Sequence, residues 1–284
     1  MNFSNEYSKI LGLVEEEINK VSDGLTLGIN IQEPLKSKLF DILNAPSKHI
    51  RPLLTFLYLK ASNIEIDERQ IHLQTAIELV HNASLIHDDV IDESLERRNT
   101  KTINNEFDNK FAVITGDYLI SVALKSITKF NSIPLIEMFS DTLDAMTNGE
   151  INQRLNKFKI PTIEEYLKKT EQKTAKLFET ALCGSLLIAK SDKNGKEFAR
   201  NFGIAFQIRD DIINLKTTKS DIKEGIYNAP IIFAGDIRNY ENGIEKARIL
   251  LNNYIDKALQ EINDLENNKY KTALKELLGL IANE

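Results

Sequence analysis

Apolar residues recur every three to four positions along almost the whole chain. This spacing predicts helices over Glu6–Ile18, Ser37–Ala45, Ile71–Asp89, Phe111–Ile127, Ile136–Ile151 and Tyr254–Leu265, because side chains three and four apart share one face of an α-helix. No stretch alternates with the period of two that a half-buried strand requires. The chain holds only 12 Gly and 6 Pro, and Pro134, Pro161 and Pro230 fall between helical patterns, so the breakers are too sparse for an all-β design. No Ser/Gly/Pro-rich linker and no fixed-period repeat divides the sequence. The expectation is an all-α fold in a single domain over residues 1–284.

Composition narrows the function. A chain of 284 residues is long enough to bury a full core. Its net charge is -6, with lysines interspersed among glutamates, and it lacks the basic stripe of a nucleic-acid face. The single cysteine, Cys183, sits in the apolar stretch ETALCGSLLIA, cannot form an internal disulfide, and fits core packing in a reducing compartment. The N-terminal segment carries acidic residues early and no uninterrupted apolar region, so no signal peptide is expected and the mature chain should start near Met1. No uninterrupted apolar run approaches the roughly 18 residues of a membrane span. A soluble, cytoplasmic protein is expected.

Against this background the stretch LIHDDVIDESLERR, Leu85–Arg98, stands out. It follows an apolar helical pattern and crowds Asp88, Asp89 and Asp92 into one turn. On a helix Asp88 and Asp92 project within about 40° of each other, with Asp89 about 100° away. Like charges gathered in a half-buried place cost free energy unless a cation shares them. Converging carboxylates suit a hard cation such as Mg²⁺, which keeps several waters and bridges to substrate phosphates; a solvated acidic helix end is the plain alternative. QIRDDIIN, Gln207–Asn214, repeats the chemistry with Asp210, Asp211 and Asn214. Cations suited to phosphate accompany them: Lys48 and Arg51 in SKHIRP, Arg97 and Arg98, and Lys173 in EQKTAKLF. Two other metal readings use the same stretch. Glu78 and His81 have the spacing of one half of a di-iron bundle site, which needs two such pairs, and His87-Asp88 has the form of a metal phosphohydrolase pair, which leaves the second acidic cluster unexplained.

The order of SKHIRP, ELVHNASLIHDDVIDESLERR, GDYLI, GEINQ, KTAKLF, FQIRDDIIN and DIKEGIYNAPIIFA resembles the trans-isoprenyl diphosphate synthases, most of all the long-chain polyprenyl diphosphate synthases, from about residue 35 to 280. That resemblance implies an antiparallel helical barrel around a deep central cavity. It implies an enzyme that condenses isopentenyl diphosphate with an allylic diphosphate. Asp88, Asp92, Lys173 and Asp210 would then be catalytic, with three Mg²⁺ ions held by Asp88, Asp89, Asp92, Asp210 and Asp211. Arg97, Lys173, Thr174 and Gln207 would contact the allylic diphosphate, and Lys48, Arg51, His81 and Arg98 would bind isopentenyl diphosphate. A homodimer is expected, with a catalytic subunit of a heterodimer as the alternative, and with peripheral membrane contact for product release.

The departures from the family pattern are local. Pro46-Ser47-Lys48 replaces the usual Gly-Gly-Lys, His49 replaces an Arg, Asn214 replaces an Asp, the loop after it is short, and Ile226 stands where a second diphosphate Lys is common. The positions four and five before the first Asp, Ser84 and Ala83, are small where short-chain synthases carry an aromatic residue, and Ala76, about 18 Å below Asp88 along the helix, is small too. A long-chain product is therefore expected, with a shorter farnesyl or geranylgeranyl product as the alternative. A terpene cyclase is disfavoured by the basic residues for isopentenyl diphosphate.

Overall fold

In the computed structural model, which describes residues 3–98 and 100–283, the described strands are one antiparallel pair of two residues each, Glu96–Arg97 against Thr100–Lys101, and helices carry the rest of the regular structure. The expected start at Met1 lies outside the described residues. Each predicted helix is present, with altered limits. The first is divided into Phe3–Leu11 and Glu15–Gly24, because Gly12 favours the helical conformation poorly and ends the first segment. The last runs over Glu241–Glu261 and stops four residues before the predicted Leu265.

Contacts divide the chain into two compact units, residues 14–56 with 65–137, and residues 1–13 with 57–64 and 138–284. The former holds the first aspartate motif and the latter the second; each is described by itself.

The spine of the first-motif unit is the helix Glu68–Ile91. Asp67 opens it with a capping box: its carboxylate accepts from the Arg69 N–H at 2.7 Å, while Gln70 Oε1 accepts from the Asp67 N–H at 3.1 Å. Such a cap stabilises a helix by about 1 kcal/mol. Residues on nearly all faces are buried, including Leu73, Ala76, Ile77 and Val80, as befits a helix enclosed by others. It packs on Asn109–Thr128 at a crossing made by Gly116, where a Cβ would lie 2.1 Å from His87 Nε2. The glycine of GDYLI is thus required by contact with the residue preceding Asp88. Asn109–Thr128 is long and apolar enough, by length and composition, to cross a membrane. Thr115, Asp117, Ser121 and Lys125 interrupt its apolar residues, and one face of it, with Ala112, Leu119 and Ala123, is buried in the protein.

The second-motif unit centres on the helix Lys196–Lys216. Phe198, Phe202 and Phe206 recur one turn apart; Phe202 and Phe206 pack tilted against Phe178, with ring centroids 5.3 and 5.8 Å away, and Phe202 stacks on Phe206 at 6.4 Å. Gly203 lets the neighbouring backbone approach, since a Cβ there would lie 2.6 Å from Ala175 Cα. That neighbour is a continuous helical run, Ile163–Thr170 and Lys176–Ile188 joined through a π-helical turn at Glu171–Ala175. Single π-turns inside helices shift the register of side chains and occur often at functional sites. Cys183 lies half-buried in this run, and burial pushes its thiol up to about 11, in keeping with a packing role.

Candidate active site

The first aspartate motif closes the helix Glu68–Ile91. Asp88 and Asp89 lie in its last turn and Asp92 is its C-cap, its N–H donating to the Asp88 carbonyl oxygen at 2.8 Å. The C-terminal end of a helix carries partial negative charge, so carboxylates there are disfavoured until a cation joins them. Asp88 and Asp92 are half-buried, whereas Asp89 is buried. Burial pushes the Asp89 carboxyl up and the adjacent Arg97 guanidinium opposes it. Arg97 Nε donates to Asp89 Oδ1 at 2.7 Å. The short strand pair positions that arginine, and the turn before it is stitched by Thr102 Oγ1 and Asn104 Nδ2, which donate to the Ser94 carbonyl oxygen at 2.8 and 2.9 Å. Asp89, Arg97 and Arg98 line one small cavity with Asn82.

The basic residues of the same unit gather around a buried glutamate. Glu78 accepts from His49 Nδ1 at 2.9 Å through Oε2, while its Oε1 is buried with no hydrogen-bond partner among the described residues. Arg51 is buried. Burial holds the His81 imidazole well below its usual range, reinforced by the charges of Arg51, Arg98 and Arg97. His81 is therefore neutral, able to accept or donate one proton in a hydrogen bond. Lys48 lies in the irregular segment before Ile50, and Arg98 is exposed on the strand turn. Glu78 and His87 are otherwise engaged than the two rival metal readings require. Glu78 faces His49, and His87 Nε2 approaches the Val113 carbonyl oxygen at 3.2 Å and Asp117 at 3.4 Å. Ala76 and Ala83 are fully buried, and the Ser84 hydroxyl donates to the His81 carbonyl oxygen at 2.8 Å.

In the second-motif unit a chain of hydrogen bonds locks the acids. Thr174 Oγ1 donates to Gln207 Oε1 at 2.7 Å, Gln207 Nε2 donates to Asp211 Oδ1 at 2.8 Å, and the Tyr166 hydroxyl donates to Asp211 Oδ2 at 2.6 Å. Both ends of the Gln207 amide are thereby committed, and Asp211 is satisfied on both oxygens. Burial nonetheless pushes the Asp211 carboxyl up to about 6. Asp210, on the next position of the helix, is more exposed and lies 3.5 Å from Arg209. Asn214 donates through Nδ2 to Ser220 Oγ at 2.8 Å, and its Oδ1 is buried with no hydrogen-bond partner among the described residues. The π-turn delivers Lys173 to Glu150 of GEINQ, with which it forms an ion pair. Burial would raise the Glu150 carboxyl, but Lys173 and Arg154 outweigh it and hold it below the usual range.

In the first-motif unit Asp88 and Asp92 offer hard oxygens one helical turn apart, a chemistry that suits a divalent cation. Among the described residues no group of three or more His, Cys, Asp or Glu side chains is arranged to hold a metal ion by itself. Sequence reasoning missed Tyr166, Glu150 and the His49–Glu78 pair. A tyrosine on the apolar face of an amphipathic helix reads as packing until its hydroxyl partner, 45 residues away, is known.

Residues 32–270 match the family described as polyprenyl synthetase. The chain is 32% identical to a prenyl transferase of Cyanidium caldarium over 95% of its own length and 96% of that protein. It is 28% identical to a decaprenyl-diphosphate synthase of Dictyostelium discoideum over 92% of its length and 67% of the relative. In fold it is similar to a polyprenyl synthase from Caulobacter crescentus complexed with calcium and isoprenyl diphosphate, with a TM-score of 0.89 at 21% identity over 98% of both chains. It is likewise similar to a heptaprenyl diphosphate synthase from Staphylococcus aureus, with a TM-score of 0.85 at 24% identity over 100% of this chain and 99% of that one.

Proposed function

The chain belongs to the polyprenyl synthetase family, and from that premise we propose that it is a Mg²⁺-dependent prenyltransferase that condenses isopentenyl diphosphate with an allylic diphosphate to make a long-chain polyprenyl diphosphate. Relatives named decaprenyl, solanesyl and octaprenyl diphosphate synthase support the long product. The observation that carries the reading is the placement of Asp88 and Asp92 one turn apart at the negative end of a helix, a place that favours a bound cation. In this reading the two units form one catalytic domain, working in the cytoplasm as a homodimer with peripheral membrane contact for product release.

Asp88, Asp92 and Asp210 would hold Mg²⁺, with Asp89 and Asp211 as supporting acids, and three ions are proposed. Bound there, Mg²⁺ supplies Lewis-acid stabilisation of the charge that builds on the departing diphosphate. Lys173 and Arg97 add fixed positive charge to that diphosphate, and Thr174 and Gln207 orient its contacts by their shared hydrogen bond. Lys48, Arg51, His81 and Arg98 fix isopentenyl diphosphate so that its double bond lies against the allylic carbon as the C–O bond breaks. Proton loss then completes the condensation. Small side chains at Ala83 and Ser84 put no aromatic ring in the proposed path of the growing tail.

The purified chain, incubated with Mg²⁺, isopentenyl diphosphate and farnesyl diphosphate, tests the proposal. Dephosphorylated products separated by reverse-phase chromatography should run beyond geranylgeranyl length. Activity that needs a second, different subunit would establish the heterodimer instead, and no condensation under either condition would overturn the assignment.

A further inference from the structure

Within the first-motif unit, Lys48 and Arg51 lie on either side of a joint in the chain. Lys48 belongs to an irregular segment, residues 46–49, and Arg51 to the first turn of the helix Ile50–Ala61. His49 is the joint. Its φ is 45°, in the left-handed region, which histidine enters more readily than most residues but which is uncommon for any residue except glycine. Its carbonyl oxygen accepts from the Leu53 N–H at 2.9 Å and so opens the helix. The direction in which the chain passes from Lys48 to Arg51 turns on the conformation of this one residue.

The side chain of His49 is tied to a different helix. Its Nδ1 lies 2.9 Å from Glu78 Oε2, and the two side chains are 11% and 2% exposed. Glu78 sits on the helix Glu68–Ile91, three positions before His81. Burial holds the Arg98 guanidinium below its usual range, and the Glu78 carboxylate opposes that shift. His81 in turn, held low chiefly by burial, feels the charges of Arg51, Arg98, Arg97 and His49. A buried acid thus stands among the groups proposed to bind an anion. By itself it repels that anion and is costly to desolvate. Its contribution is to hold the groups around it, and the direct hydrogen bond it makes in doing so is the one to His49.

We propose that His49 is a positioning residue for isopentenyl diphosphate: by hydrogen-bonding the buried Glu78 it fixes the left-handed joint that sets Lys48 and Arg51 relative to His81. The inference rests on the prenyltransferase reading for the identity of the ligand. His49 touches no reacting atom in this scheme, and its influence is confined to one of the two substrates. Removing it takes away binding common to the ground state and the transition state, which raises KM and leaves kcat in place.

Steady-state kinetics of the full chain with Mg²⁺, varying isopentenyl diphosphate and farnesyl diphosphate in turn, test this. His49→Gly deletes the hydrogen bond while allowing positive φ without strain. It should raise KM for isopentenyl diphosphate about ten-fold, with kcat and KM for farnesyl diphosphate unchanged. His49→Asn tolerates the same φ and offers Nδ2 as a donor near the place of the imidazole Nδ1, and should restore the wild-type KM. Calorimetric titration with isopentenyl diphosphate alone reads the same ten-fold change without turnover. A wild-type chain that binds this ligand but condenses nothing would count against the prenyltransferase reading and not against His49. An unchanged KM and affinity in His49→Gly, equal rises in KM for both substrates, a loss that His49→Asn does not repair, or no binding of isopentenyl diphosphate by the wild type would each overturn the proposal.

Discussion

The two aspartate motifs read almost alike in sequence, yet the units that carry them hold their acids differently. In the first-motif unit the acids end a helix, and the buried Asp89 is held by Arg97, delivered from a two-residue strand pair eight positions later. In the second-motif unit the acids lie within a helix, and Asp211 is held on both oxygens by Gln207 and Tyr166, themselves backed by Thr174 and the aromatic stack of Phe178, Phe202 and Phe206. The first arrangement rests on an ion pair closed by a chain turn, the second on neutral donors fixed by packing. A carboxylate satisfied by neutral donors is set before any ligand arrives. One satisfied by a cation that also suits phosphate can exchange partners when substrate binds. The difference suggests a division between a unit that adapts to the diphosphate and a unit that is built in advance.

The largest expected effect separates chemistry from packing. Asp88→Ala or Asp92→Ala should lower turnover about a thousand-fold while the circular dichroism spectrum stays helical, because the loss falls on metal and diphosphate. Asp210→Asn should also be severe. Turnover near the wild-type value in both first-motif mutants would remove the metal assignment. Next, Ala83→Phe should shorten the product to farnesyl or geranylgeranyl length without stopping the first condensation. Ala83 is fully buried, and a packed interior does not readily admit a ring. An unchanged long product on chromatography would show that the tail takes another route.

Stability should follow the comparison between the units. Tyr166→Phe removes a donor from a buried carboxylate and should cost about 2 kcal/mol in denaturant unfolding, more than Arg97→Gln, whose partly exposed pair should contribute about 1 kcal/mol or less. The reverse order would mean that the neutral donors do not fix Asp211 more firmly than Arg97 fixes Asp89. The acid in question also carries a pH signature. The folded-state pKa of Asp211 lies at about 6, above its ordinary value of 3.8. Its contribution to stability is therefore fully present below that ordinary value and is lost as pH rises through about 6. The stability difference between wild type and Asp211→Asn should accordingly move in favour of the wild type as pH falls from 7 to 4. A pH-independent difference would mean that burial is not what governs this carboxyl.

The smallest effect is expected at Asn214. Asn214→Asp supplies a charged oxygen where an amide Oδ1 now lies open, and should modestly lower the Mg²⁺ concentration for half-maximal activity. A change as large as that of Asp210→Asn would reverse the ranking of these two positions.

The helices and the shared faces of Asp88 with Asp92 follow from sequence alone, because helical periodicity is set by neighbours three and four residues away and needs no distant partner. So does the expectation that two acidic turns with basic companions suit phosphate chemistry. Helical spacing could not show that Asp89 is the acid held by Arg97, since that partner is brought back by a turn of irregular chain whose path depends on Thr102 and Asn104. Nor could it reveal Tyr166 against Asp211, Glu150 against Lys173, or the π-turn that aims that lysine. Those depend on how closely helices approach at Gly203 and Gly149, whose missing side chains leave room for Ala175 and for Gln172 and Lys173. A local pattern fixes which residues share a face; only packing decides which of them is desolvated, and desolvation is what turns a charged side chain into one that must have a partner.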